Sequence, residues 1–413
     1  MTSSLLGRPA HSCSMLIAWI TLLTPVANAA PGYTYDEIFT GTSVVQENPS
    51  HYGLMINNRS EVVFVTGESS GFNTAIYRAY ISRPGPTPQS PRPAPELIYE
   101  IASDAGGTAP QISRTRPIGI NDNGIVAVPL NWPILDMSGN MISSEAGFGI
   151  FDPNLPGAGL DRQIGEIRNL QGSSGRINNN LQMGGRESLG GNLWGLVITD
   201  GTTSSSTSGL FAQETVQVND AGIVAAHGND ASDRTVVQWA TPPGSLQSAV
   251  IGDARGLGLT AFGHTPGLNN LGWMTFSTES NGGGTNPNPR ILLISPTGDV
   301  LTIAETATSD FVNFRQSRSA TATGVPVNNF NRVSFNGQKI DPMSMFESDG
   351  IWVGDASGDP LRLAIDASDS GGRTVFSNGN EFDNIGFAND VSNHSANSMN
   401  DKGEIAVIGH GIL

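Results

Sequence analysis

The chain has 413 residues, only 14% of them charged, with 51 Gly, 25 Pro, one Cys and a formal charge of −16. So little charge excludes a coiled coil or helical array, the lack of a three-residue Gly period excludes collagen, and the same low charge argues against full disorder. Short Val- and Ile-rich runs punctuated by Gly, Pro, Asn and Ser predict an all-β protein. Lysine occurs only at Lys339 and Lys402, so nucleic acid and anionic membranes are poor partners.

In chain order, Arg8, the apolar run Met15 to Leu23 and the Ala27-Asn28-Ala29 site predict a secretory signal peptide over residues 1–29. Cleavage after Ala29 sends the mature chain to the periplasm or out of the cell. The apolar run is too short to span a bilayer, and no later segment is a transmembrane candidate. Cys13 leaves with the leader, which excludes a disulfide framework and a Cys-ligated metal. Residues 30–413 are expected to form a single, monomeric domain.

A short pattern then returns seven times: an apolar residue, Asn, two variable residues, usually Gly, and an apolar strand. The copies begin at Asn57, Asn121, Asn178, Asn219, Asn269, Asn328 and Asn400. Gly124, Gly222, Gly272 and Gly403 fill the glycine position, and Ser60, Leu181 and Asn331 replace it in the others. Asn bonds readily to backbone two residues on, and Gly takes left-handed backbone without steric cost, so each copy predicts a hairpin turn. Leu181 does not suit that conformation, and the third turn is the doubtful one. Losing one turn bond in Asn121→Ala sets an expected cost of about 1 kcal/mol.

Further strand-like runs follow most turns, such as Ala75 to Ser82 and Glu96 to Ala102 after the first. Four short strands per unit is the blade of a β-propeller. The Asn spacings of 64, 57, 41, 50, 59 and 72 residues suit blades with loop insertions, at Arg83 to Pro95, Thr202 to Ser208 and Asn281 to Pro289. Seven blades are favoured over six. The closing blade is expected to be shared by the C-terminal strand EIAVIG and an N-terminal strand at Asp36 to Gly41.

The repeated Asn-x-x-Gly, the strand after it and the Gly-Ile-Phe or Gly-Ile-Trp run beyond resemble bacterial secreted proteins with tandem NxxGxxxF repeats. The full pattern stands at Asn269 to Phe276, while Asn57 and Asn328 keep Phe64 and Phe335 without the Gly. The resemblance implies a secreted, propeller-like repeat protein and no particular activity.

Motifs for chemistry are sparse. Gly67 to Gly71 matches GxSxG around Ser69, but a nucleophile elbow needs a following helix, and a strand is expected there. The Asn-Asp-x-Gly turns suggest weak calcium binding through Asp122, Asp220 and Asp401, yet Ala221, Leu271 and Lys402 supply no ligand, so structural turns are the better reading. Asp349, Asp355 and Asp359 form a second acidic group, read as turn residues. His51, His227, His264, His394 and His410 show no zinc spacing, and loop positions are expected for His227 and His264. Trp132, Trp194, Trp239, Trp273 and Trp352 are expected in blade packing or on a sugar-binding face. No catalytic, cofactor or metal residue is assigned. The expected function is a non-enzymatic module that binds an unidentified polymer or cell-surface partner. An extracellular glycosidase or lyase with carboxylates at the propeller mouth is the alternative, and a structural envelope or matrix component is another.

Overall fold

The computed structural model describes residues 15–18, 38, 54–69, 75–87, 90–102, 109–113, 116–190, 193–207, 211–212, 216–229, 235–252, 266–278, 288–314, 325–340, 347–366, 381–384 and 397–412. Strand β1 is Met15–Ala18. The first blade holds β2 (Leu54–Ile56), β3 (Val62–Ser69), β4 (Ala75–Ser82) and β5 (Glu96–Ala102). The second holds β6 (Gln111–Ile112), β7 (Gly119–Ile120), β8 (Val126–Leu135), β9 (Met141–Phe151) and, after a single 3-10 turn, β10 (Gln163–Arg168). The third holds β11 (Met183–Gly190), β12 (Leu193–Thr199) and β13 (Ser204–Ser206). The fourth holds β14 (Phe211–Ala212), β15 (Gln217–Val218), β16 (Val224–Asn229), β17 (Thr235–Ala240) and β18 (Gln247–Gly252). The fifth holds β19 (Gly267–Leu268), β20 (Met274–Ser277), β21 (Arg290–Ile294) and β22 (Val300–Glu305). The sixth holds β23 (Phe311–Phe314), β24 (Arg332–Ile340), β25 (Glu347–Asp355) and β26 (Arg362–Asp366). Last come β27 (Glu381–Asn384), β28 (Asn397–Met399) and β29 (Ile405–Ile412).

These strands form antiparallel sheets in which neighbours in sequence are neighbours in space. The arrangement is a β-propeller of six complete blades. Each has four strand places; in the third, the bridge Ile177↔Met183 fills the first place. The sheet around β29 is shorter. It has β27 and β28 on one side of β29 and β1 on the other, so that its four strands fill three places among the described residues. The favoured count of seven full blades is therefore corrected to six, with a three-place seventh sheet in the ring. That sheet does draw on both chain ends, but its N-terminal strand is Met15–Ala18, inside the apolar run read as a signal peptide. The expected strand at Asp36 to Gly41 lies outside the described residues except for Ile38.

Where the second strand is covered on both faces by neighbouring blades, as in the first and fifth, it is a continuous apolar run rather than an alternating one. Val62, Val63, Phe64 and Val65 are all buried, as are the four residues of β20. Outer strands such as β10 and β22 alternate or face solvent. The apolar cores lie between blades: Leu196 and Ile198 of the third pack on Val216, Val218 and Val224 of the fourth. Phe64, Phe276 and Phe335, seven residues after their Asn, are fully buried in such interfaces. At the same place in the third blade, a Cβ on Gly185 would meet Leu170 Cδ1 at 2.3 Å, so Leu170 fills the volume that Phe takes elsewhere. Burial of a Phe on this scale contributes about 2–3 kcal/mol.

Candidate functional site

The seven Asn turns meet around the propeller axis. In each, the Asn N–H donates to the carbonyl four residues on, and the N–H three residues on returns to the Asn carbonyl. This is a three-residue hairpin loop whose last residue takes left-handed backbone. Gly124, Gly222, Gly272 and Gly403 do so at φ of 76–82°, and Ser60, Asn331 and Leu181 do so at 59–66°. The doubtful third turn thus has the same form as the others, with Leu181 at φ 60°. Leu181 packs on the core of the second and third blades, which holds it in a costly conformation.

Each Asn side chain does two jobs. Its Oδ1 accepts the N–H four residues on, as Asn121 does from Ile125 at 2.9 Å, and in six of the seven also the N–H two residues on. Its Nδ2 reaches the next blade. Asn57 donates to the carbonyl of Asn121 at 2.8 Å, Asn121 to Asn178 at 3.0 Å, Asn178 to Asn219 at 3.1 Å and Asn219 to Asn269 at 2.8 Å. Asn269 donates to Asn328 at 2.8 Å, Asn328 to Asn400 at 3.2 Å and Asn400 back to Asn57 at 2.9 Å. The ring is closed. Asp or Ser in this place would lose either the donor or one of the acceptor bonds.

A second ring lies one residue on: Asn58, Asp122, Asn179, Asp220, Asn270, Asn329 and Asp401. Every N–H donates to the side-chain oxygen of the next member, at 2.7–3.0 Å, and Asp401 returns to Asn58. Carboxamides also donate to carboxylates: Asn58 to Asp122 and Asp401, Asn179 and Asn270 to Asp220, and Asn329 to Asp401. A seven-membered ring holds at most three carboxylates with no two adjacent, and this ring holds three. The two adjacent carboxamides, Asn270 and Asn329, turn to different carboxylates.

Inside the ring is a cavity of about 80 Å³ lined by Arg176, Gln217, Ser398 and the turn residues. Arg176 crosses it and donates to the carbonyl of Leu268. Burial lowers the pKa of its guanidinium, while the charges of Asp220, Asp122 and Asp401 oppose that shift. Arg176 is thus a built-in counter-charge for the second ring. Gly119 and Gly267, which also stand two residues before a repeat Asn, let the inner strands approach closely. A Cβ on either would lie 1.9 Å from the next blade's backbone, at Gly175 O and Val325 O. The sequence reading missed Arg176 and these two glycines; their shared offset from the repeat Asn is the signal that marks them.

The carboxylates needed by the enzyme reading do converge here, but their oxygens accept N–H groups of adjoining turns. Among the described residues no three His, Cys, Asp or Glu gather as a metal site. Ser69 ends β3, and the next described element is strand β4 rather than the helix that a nucleophile elbow needs. His227, expected in a loop, is instead buried in strand β16 with its ring 5.4 Å from Phe276. His410 lies in β29, and His51, His264 and His394 lie outside the described residues. Asp355 accepts from the Ser357 N–H at 2.9 Å as a turn residue. Trp239 is in the interface core of the fourth and fifth blades, and Trp273 and Trp352 border that of the fifth and sixth. Trp132 and Trp194 are faced by Arg168 and Arg186 at 5.0 and 4.5 Å.

No protein-family model matches the chain, and no curated protein matches it by sequence. Similar solved structures include the β-propeller domain of the trilobed protease from Pyrococcus furiosus, 11% identical with a TM-score of 0.39, covering 79% of this chain and 99% of that one. An acylaminoacyl peptidase is 10% identical with a TM-score of 0.44, over 76% of this chain and 45% of that one. The Pyrococcus horikoshii acylaminoacyl peptidase is 9% identical with a TM-score of 0.43, over 78% of this chain and 53% of that one. This chain spans about half the length of these two peptidases.

Proposed function

We propose that this chain is a secreted, non-enzymatic β-propeller of the tandem NxxGxxxF kind, which binds a polymer or cell-surface partner as a monomer. The observation that supports this reading is the use made of the axial carboxylates. Asp220 accepts the Asn179 N–H at 2.7 Å on one oxygen and the carboxamides of Asn179 and Asn270 on the other. Asp401 is held in the same way by Asn329 and Asn58. Groups spent on joining blades are not poised to move a substrate proton, which general acid–base catalysis requires. A rigid ring with variable loops is a binding frame.

The test is incubation of the purified chain with a panel of polysaccharides, followed by co-sedimentation and by assay of reducing ends. Retention on one or more polymers without cleavage is expected. Cleavage that Asp220→Asn abolishes would install the glycosidase reading instead, and concentration-dependent assembly in light scattering would favour the matrix component.

A further inference from the structure

Each axial turn carries a third side chain, two residues after the repeat Asn, and these form the outermost layer of the axial mouth. In order around the axis they are Arg59, Asn123, Asn180, Ala221, Leu271, Phe330 and Lys402, and all seven are exposed. The two inner rings are Asn or Asp throughout, because their side chains bond from turn to turn. The outer layer is under no such constraint. Six of its seven N–H groups go to the repeat Asn of their own turn, and its side chains differ. They differ in blocks: two carboxamides at Asn123 and Asn180, two large apolar groups at Leu271 and Phe330, and two cations at Lys402 and Arg59.

Leu271 is 58% and Phe330 69% exposed, on turns joined by the Asn270 N–H to Asn329 Oδ1. An aromatic ring held in solvent at a turn tip adds nothing to blade packing, and beside a second apolar group it marks a contact surface. Next around the axis, across the bond from the Asn329 N–H to Asp401, stands Lys402. Its Nζ donates to Ser60 Oγ at 2.8 Å, and among the described residues it pairs with no carboxylate. Arg59, by contrast, pairs with Glu61 at 3.3 Å. Asp122, Asp220 and Asp401 lie one layer deeper, with N–H donors on both oxygens of each. The outermost charges of the axial turns are therefore positive, in a chain whose formal charge is −16.

The backbone of the mouth is already engaged. In every turn the N–H groups one, three and four residues after the Asn donate within the turn or to the next one. These turns leave no ladder of N–H donors for a peptide strand, so recognition falls to side chains. An aromatic face with carboxamides across the axis suits a sugar, which has apolar C–H faces and a rim of hydroxyls. An ammonium without an ion pair beside that face suits a carboxylate on the same sugar.

We propose that the axial mouth is a glycan-binding site whose ligand is an acidic polysaccharide built from uronate sugars. The assignment rests on the polymer-binding reading above and narrows it. One sugar ring lies on Phe330 and Leu271, and its carboxylate meets Lys402. Asn123 and Asn180, on the other side of the axis, hold hydroxyls of a further sugar.

The probes are polygalacturonate, alginate and hyaluronate, each beside its carboxyl-reduced, neutral form, with binding to the full chain read by calorimetry. At least one acidic form should bind about fivefold more tightly than its reduced form. Phe330→Ala should weaken both forms about tenfold. Lys402→Met should remove the preference and leave the reduced form unchanged. Both side chains are exposed, and an unchanged melting temperature checks that each variant folds. Equal binding of acidic and reduced forms, or undiminished binding by Phe330→Ala, overturns the proposal and leaves the polymer reading standing. Tighter binding of poly-glutamate than of every uronate overturns it in favour of an acidic polypeptide. Binding to no polymer at all overturns both readings.

Discussion

The axial turns and the outer strands meet the problem of closing a ring in different ways. At the axis all seven turns are equivalent, and the bond from Asn400 to Asn57 is the same as those between consecutive blades. At the outer strands the described residues of the seventh sheet fill three places, the third with Met15–Ala18 from near the N-terminus. The contrast teaches that this propeller is closed first by side-chain hydrogen bonds at its centre, with strand pairing as a second seam.

The largest test of that contrast is Gly267→Ala. Its methyl group would meet the Val325 carbonyl at 1.9 Å. A loss of about 3 kcal/mol or more is expected in urea unfolding; a loss below 1 kcal/mol would show that the axis is looser than described. Asn400→Ala comes next. It leaves two N–H groups and one carbonyl short of a partner at the seam between chain ends, for about 3 kcal/mol. Asn121→Ala removes the equivalent bonds, without the further donation of Asn400 to Glu404, where the chain itself also joins the blades. It should cost less, about 2 kcal/mol, which raises the single-bond figure of the sequence analysis. Equal losses for the two would remove the special role of the seam.

Asp220→Asn should cost about 1–2 kcal/mol, because two carboxamides lose their acceptor. An unchanged melting temperature would mean that the second ring adds nothing to the first. Gly222→Ala isolates backbone strain, since its Cβ would meet only Ile198 Cδ1 at 3.7 Å while φ is 76°. About 1 kcal/mol is expected, and a gain in stability would contradict the left-handed turn.

The last effect lies away from the axis and is confined to high pH. Burial pushes the pKa of Tyr99 up to about 12, and its hydroxyl donates to the Pro110 carbonyl at 2.6 Å. The unfolded chain therefore loses this proton first as pH rises, so stability falls between about pH 10 and 12. Ultraviolet titration should show one late tyrosine that Tyr99→Phe removes; its persistence in that variant would assign it elsewhere.

Much of this was legible from local chemistry. Asn followed at three residues by Gly before an apolar strand is a turn signal at any one copy, and the repetition implied blades. Leu181 misled because its core contact, which is not local, holds it in the turn. His227 misled because the strand after the turn runs past it. The spacing of the carboxylates looked like a choice between calcium loop and turn, since no one copy reveals that Asp122, Asp220 and Asp401 are kept apart by carboxamides from other blades.

The amino-acid sequence by itself determined the all-β class, the seven turns and the buried second strands, because turn geometry and strand burial act over a few residues. Only the tertiary structure decided that the turns join into two closed rings, that Arg176 answers three carboxylates from separate blades, and that the seventh sheet draws on both ends of the chain. Those features depend on groups 41 to 343 residues apart in the chain, and their distances are set by how the blades pack around the axis.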